Sequence, residues 1–417
     1  MPAMRIFLCC YFLCAPAIAL EVDDWLQING FGTLGAFHGD DSVATVRVDP
    51  RQKYGAQNET RFDGDSQLSL QAIVNPRGVV KGVVQLLSKQ DYQGSQAPQI
   101  EWAYLSWDAS PELNIKLGRT IAPVLLMSDY RNVFYAQTMV RPPPEVYNVN
   151  SISNLDGISA SWSRNLGEGE LTLETYLGTT SIDFNAGSSD IHQMFGLSAL
   201  WSEGPYKVRL GYSYNNATFN SVTGKKASQA IATLPVSQCS NCQTEIDTRV
   251  KFDRISNHIT TLAVVYDHEQ WLTQAELVYR QSQSITVGDV VAGYAMLGYR
   301  YGDFTPYLAL AATHIRDDEM NLQAGSLATP AIKTQLNYLN QSRFGRGLGD
   351  HSTFTAGLRW DVGKNIALKT QIDYVNYRSS DIGSSGGLAS FPTSLLGTPN
   401  GFDGSLMIYT LNLDFVF

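Results

Sequence analysis

Segments of about ten residues that alternate large apolar with polar side chains recur through this chain, and residues 407–417 show the pattern most plainly. There Tyr409, Leu411, Leu413, Phe415 and Phe417 share one face, while Thr410, Asn412 and Asp414 share the other. Successive side chains of a strand point to opposite faces, so this length and alternation suit a strand with lipid on one side and water on the other. The same sorting recurs elsewhere. Leu171, Leu173 and Leu177 oppose Thr172, Glu174 and Tyr176, and Tyr206, Val208, Leu210 and Tyr212 oppose Lys207, Arg209 and Ser213.

After the N-terminal stretch no segment approaches the ~20 apolar residues of a spanning helix, so a membrane crossing must be made by strands. The 21 Tyr, 17 Phe and 35 Gly favour that reading. Arg5, the apolar run Ile6 to Leu13 and the small-x-small Ala17-Ile18-Ala19 are the parts of a signal peptide. The expectation is a cleaved leader at 1–19, an exported protein, and one domain over 20–417 with no linker dividing it. Tyr11, Phe12 and Leu13 before Cys14 lack the small residues that lipoprotein processing wants. A net charge of −9 makes a nucleic-acid partner improbable.

Counting alternating segments between Gly, Pro, Asn and Asp interruptions gives about sixteen strands, from Trp25–Phe37 to Ser405–Phe417. Their connections alternate in length. Asn75-Pro76-Arg77-Gly78, Ser110-Pro111, Glu203-Gly204-Pro205 and Gly363-Lys364 read as tight turns, whereas 38–64, 122–156, 218–254, 316–351 and 379–404 are long. Short periplasmic turns and long extracellular loops characterise transmembrane barrels. The fold class expected is therefore all-β, a transmembrane antiparallel up-and-down barrel. In hydrocarbon an unpaired main-chain N–H or C=O costs several kcal/mol, so the first and last strands must pair. Sixteen strands also leave an aqueous lumen, since side chains fill the interior only at about eight. Trp107, Trp162, Trp201, Trp271, Trp360 and Phe415 near the short-turn ends read as an interfacial girdle.

The loop at 122–156 carries Pro123, Pro142, Pro143 and Pro144, which stiffen it, and the charged Asp129, Arg131, Arg141 and Glu145. Val124 to Met127 and Phe134-Tyr135 are apolar anchors with which it would fold inward onto the wall. The alternative is an external flap with solvated charges.

Ile28-Asn29-Gly30-Phe31-Gly32-Thr33 in the opening strand, Leu117-Gly118-Arg119 ending the fifth, the long third loop and the terminal Phe417 together resemble the general porin superfamily of Gram-negative bacteria. The resemblance covers the mature chain and implies an outer-membrane channel for passive diffusion of small hydrophilic solutes and ions. It also implies a homotrimer, no cofactor, and a terminal strand (Tyr409, Leu411, Leu413, Phe415, Phe417) that the barrel assembly machinery reads during insertion. By position it implies that Arg119 is a wall arginine of a constriction, with Lys81, Lys89 and Lys116 as lumen-facing companions and Asp129 and Glu145 as loop carboxylates, alongside Arg131 and Arg141. Strict alternation puts Lys116 inward and Arg119 outward, so Arg119 reaches the lumen only if Gly118 marks a bulge or the strand has left the membrane; the bulge is the expectation. Opposite charges across a narrow aqueous gap bias ion selectivity. The acidic excess argues for cations and the wall cations for anions.

Cys239 and Cys242 lie in a long outer loop of an exported chain, where a disulfide is expected. Half a zinc site is the alternative, but no second CxxC or His pair supplies two more ligands. The histidines at 38, 192, 258, 268, 314 and 351 show no metal or nucleophile spacing, so an enzyme is not expected. A receptor or adhesin using the outer loops, or a barrel-embedded hydrolase, are the competing functions.

Overall fold

The computed structural model describes residues 20–23, 25–42, 44–75, 78–184, 187–316, 320–341, 350–377, 389–390 and 404–417. The expected leader at 1–19 and most of the loop at 379–404 lie outside them. Sixteen long strands form one closed antiparallel barrel: β1 Leu26–Gly39, β2 Gln67–Val74, β3 Val80–Lys89, β4 Gln99–Asp108, β5 Leu113–Ile121, β6 Asn154–Leu166, β7 Gly169–Phe184 and β8 Gly187–Glu203, followed by β9 Tyr206–Asn220, β10 Ile255–His268, β11 Trp271–Ser282, β12 Val290–Tyr299, β13 Phe304–Ile315, β14 His351–Gly363, β15 Ile366–Tyr377 and β16 Ser405–Val416. Each pairs with its sequence neighbours, and β16 closes on β1 from Phe31↔Val416 to Gly39↔Ile408. Short strands at Leu20–Asp23 and Glu59–Arg61 extend the sheet at β1. No helix of the described residues is long and apolar enough to cross a membrane.

The seam is closed by side chains as well as hydrogen bonds. On the outer face the Phe417 ring covers Gly30 and the Phe415 ring covers Gly32, where a Cβ would overlap them. Phe415 and Phe417 stack at 6.4 Å. Thus the glycines of the opening strand and the aromatics of the closing strand fit one another.

The outer wall is a belt of exposed leucines, including Leu34, Leu70, Leu105, Leu117, Leu177, Leu210, Leu277, Leu310 and Leu411. A continuous apolar belt is stable only against hydrocarbon. Trp25, Trp107, Trp271 and Trp360 mark one rim, and Tyr212, Tyr374 and Tyr409 lie towards the other. Tight turns close the Trp rim, with Gly78, Gly167, Gly204 and Gly302 at positive φ, a conformation that favours glycine. The wall is uneven: β7 and β8 run 16 and 17 residues, against 8 for β2 and 9 for β5.

Long loops fill the opposite rim. Helices α1 Pro144–Tyr147, α2 Val222–Ala232, α3 Cys242–Arg249 and α4 Pro330–Gln341 all belong to them. Residues 221–254 and 320–341 pack together around Ile246, Met320, Leu322, Leu336 and Leu339, joined by Ile285 from the loop after β11. Cys239 and Cys242, joined as a disulfide with Cα atoms 5.6 Å apart, are buried in this cap.

Candidate functional site: the loop inside the barrel

The loop between β5 and β6 lies within the lumen and is fixed to walls on several sides. The reason is visible in β12 and β13, whose inward faces are largely apolar: Val290, Ala292, Tyr294 and Met296, then Tyr307, Ala309, Ala311 and Ile315. Val124, Leu125, Met127, Val146, Tyr147 and Val149 of the loop pack with them. Burying this apolar surface offsets the entropy of ordering a long loop, at roughly 25 cal/mol per Å².

Polar wall residues then satisfy the loop's main chain. Glu276 on β11 accepts from the Leu126 N–H at 2.8 Å and from the Tyr147 hydroxyl at 3.0 Å. Arg209 on β9 donates to the carbonyls of Pro123 and Val124, and Arg280 to that of Val149 at 2.6 Å. On the far wall Lys369 donates to the carbonyls of Phe134 at 2.5 Å and Met139 at 3.0 Å, while Arg359 donates to those of Tyr135 and Gln137. Buried main-chain groups demand partners, and charged donors and acceptors make the stronger bonds.

The sequence-derived candidates separate into three groups. The first group, Lys89, Lys116, Asp129 and Arg131, lies where loop residues 129–132 approach the wall. Asp129 keeps an exposed side chain there, and Lys116 and Arg209 are the cations that act on it. Although the side chain meets solvent, the low-dielectric walls crowded around it desolvate its carboxyl and raise it above the usual range, and those two cations oppose the shift. Lys116 also sits 5.6 Å over the Tyr104 ring, and Glu174 faces the same space. Lys89 reaches Asn132 Oδ1 at 3.3 Å.

Arg141 and Glu145 form the second group, and here the expectation of pore-facing charges is corrected. Arg141 is 4% exposed and bonded to Asp65 and to Thr410 Oγ1, the latter at 2.9 Å. Glu145, 2% exposed, accepts from Thr353 and lies 3.7 Å from His351 Nε2. Both are pinned to the wall because a buried charge persists only with partners.

The third group leaves the lumen or the gap. No bulge forms at Gly118: β5 keeps register with both neighbours, Tyr104↔Gly118 and Gly118↔Gly157. Gly118 instead adopts φ +128°, where the Ala103 carbonyl and the Tyr104 main chain approach too closely for a side chain. Arg119 therefore points outward beside Leu117 and pairs with Asp156 at 2.8 Å. Lys81 shares the inward parity of Lys89 but lies at the short-turn end of β3, paired with Asp108 at 3.1 Å.

Several site residues were not singled out from the sequence. A register shift between Gln85 and Leu86 leaves Glu101 unpaired in the β3–β4 ladder, and its carboxylate accepts from Asn132 at 3.4 Å. The turn at 49–52 of the first long loop comes down beside them, where Asp49 meets Lys89 at 3.5 Å. Inward parity with a charge was the available signal for Glu276, Arg280 and Lys369; nothing in the sequence placed Asp49.

No family model and no curated protein matches the sequence. Solved structures do match in shape. An anion-selective porin from Comamonas acidovorans is 13% identical, with a TM-score of 0.53 over 94% of this chain and 99% of that one. Salmonella typhi OmpF, in complex with daunomycin, is 9% identical with a TM-score of 0.55 over 96% and 100%. The trimer form of in-vitro folded OmpT, an outer membrane protein of Vibrio cholerae, is 8% identical with a TM-score of 0.51 over 94% and 100%. The architecture of this chain is that of the sixteen-stranded porin-type β-barrel.

Proposed function

We propose that this protein is an outer-membrane porin that passes small hydrophilic solutes and ions by passive diffusion. The path is the gap between loop residues 129–132 and the wall of β3 to β9. The observation that carries this reading is an exposed Asp129 inside a closed barrel, opposite Lys116 and Arg209. A loop anchored this firmly narrows the lumen without closing and opening, so conduction is continuous rather than gated. Export through a cleaved leader at 1–19, insertion by the barrel assembly machinery and assembly as a trimer belong to the same proposal. The trimer form of the Vibrio neighbour and the low wall of β2 to β5 support that oligomeric state.

Planar-bilayer recording of the purified full-length protein tests it. Stepwise, ohmic conductance that persists at low voltage is expected. A protein that inserts as a folded barrel yet conducts nothing would remove the reading and favour a surface receptor.

A further inference from the structure

Beside the gap lies a cavity of about 60 Å³ between the first and third long loops, lined by Asp49, Arg51, Lys89, Arg131, Asn132 and Tyr147 among others. Four cations line this cavity, of which Arg141 is bonded to Asp65, while Arg51, Lys89 and Arg131 face the carboxylates of Asp49 and the neighbouring Glu101. The donors are unequally occupied. Arg51 spends its Nε and Nη2 on the Asp49 carboxylate, with bonds of 2.5 to 3.1 Å. Among the described residues Lys89 makes long bonds, 3.3 Å to Asn132 and 3.5 Å to Asp49. Arg131 donates to the carbonyls of Asn150, Ile152 and Tyr147 at 3.2 to 3.5 Å, and among the described residues to no carboxylate. Its guanidinium rests 5.7 Å from the Tyr147 ring centre.

Bonds near 3.5 Å lie at the weak end of the range for N–H···O, so Lys89 and Arg131 are strong donors whose protein partners use them poorly. A guanidinium fork beside an ammonium pairs bidentately with a planar carboxylate, as it does with a phosphate, and matches a spherical anion poorly. We propose that Lys89 and Arg131 form a weak receiving step for small carboxylates along the path past the third loop. This rests on the porin reading for its place in a path, though not for the binding itself. Asp49 is the counterweight. Burial alone would raise its carboxyl, but Arg51, Lys89 and Arg131 hold it well below the usual range, so it stays ionised at neutral pH and limits how tightly a second carboxylate is held. A conduction site needs that limit, since a solute that binds tightly does not leave.

Saturation-transfer NMR of acetate with the full-length protein in detergent measures the site directly, on variants that retain the heat-modifiable migration of a folded barrel. Acetate binding is expected in the wild type and about tenfold tighter in Asp49→Asn, equivalent to ~1.4 kcal/mol. Arg131→Gln should lose it, and Lys81→Gln at the far rim should keep it. Equal acetate signals in wild type, Asp49→Asn and Arg131→Gln would overturn the site, as would displacement by chloride at or below the acetate concentration. Bilayer conductance of the same samples separates the two readings. Acetate binding without conductance would defeat the pore and spare the site, whereas conductance without acetate dependence would do the reverse.

Discussion

Lys369 Nζ lies 2.9 Å from the Asp414 carboxylate at the seam between β15 and β16, and neither side chain is exposed. Thr33 on β1 donates to the same carboxylate at 2.7 Å, while Lys369 spends its other hydrogens on the carbonyls of Phe134 and Met139. One ammonium thus joins the closing strand to the lumenal loop. Removing one partner of a buried pair strands the other charge, at about 3–5 kcal/mol. Lys369→Met is expected to lower the temperature at which the folded barrel converts to the unfolded band in detergent, and to give larger, noisier conductance as the loop loosens. Adding Asp414→Asn, which removes the stranded charge and keeps an acceptor for Thr33, should recover part of the stability. A single variant as stable and as quiet as wild type would show that the pair tethers nothing.

Asp129 gives the gap a pH dependence. Burial raises its carboxyl above the ordinary range, with Lys116 and Arg209 opposing. On acidification the group is therefore neutralised earlier than a free aspartate. Reversal potentials in a salt gradient are expected to move towards anions as pH falls from 7 to 5. Asp129→Asn should show the shifted value at pH 7 and less further change. Equal pH responses in the two proteins would take Asp129 out of the conduction path.

Glu145 behaves oppositely, because its carboxylate is spent on Thr353 and the neighbourhood of His351 rather than on water. Glu145→Gln is expected to leave reversal potentials unchanged while lowering thermal stability, a buried acceptor bond being worth about 1–3 kcal/mol. A selectivity change as large as that of Asp129→Asn would return Glu145 to the gap.

The contrast between Asp129 and Glu145 marks where the sequence was legible. Period-two alternation carries parity, so the sixteen strands, their turns and the inward faces of Lys116 and Arg209 could all be read from residue order. Parity also predicted Arg119 outward, and the bulge introduced to bring it inward does not exist. The path of the third loop carries no such period. Whether Glu145 meets water or Thr353 depends on tertiary contacts some 200 positions apart in sequence, and the descent of Asp49 beside Lys89 depends on the fold of a different loop. The apolar inward faces of β12 and β13, like the inward charges of Glu276, Arg280 and Lys369, are local clues to that path, since a water-filled lumen has no use for an apolar wall.

Closure of the barrel depends on the small residues of β1. Gly30 and Gly32 lie under the rings of Phe417 and Phe415, so a side chain there must displace an aromatic from the seam. Overpacking of this kind costs typically 1–3 kcal/mol. Gly32→Val is expected to reduce the yield of folded barrel and its conversion temperature, and trimming the opposing ring with Phe415→Ala in the same chain should restore part of both. If Gly32→Val folds as well as wild type, ring packing at the seam is not what closes it.

The Cys239–Cys242 bond sits at the start of α3, inside the cap rather than at its surface, against Ile246 and Leu322. A ring this short stabilises by about 2 kcal/mol on the chain-entropy model, enough to hold the cap but far less than the barrel's own pairing. The unreduced protein is expected to be two hydrogens lighter than the reduced one and to resist alkylation. After reduction, trypsin should cut faster after Arg249 while conductance stays the same, because the cap lies apart from Asp129 and its gap. Two freely alkylatable thiols in the unreduced protein would contradict the bond. A conductance change on reduction would instead place the cap across the solute path.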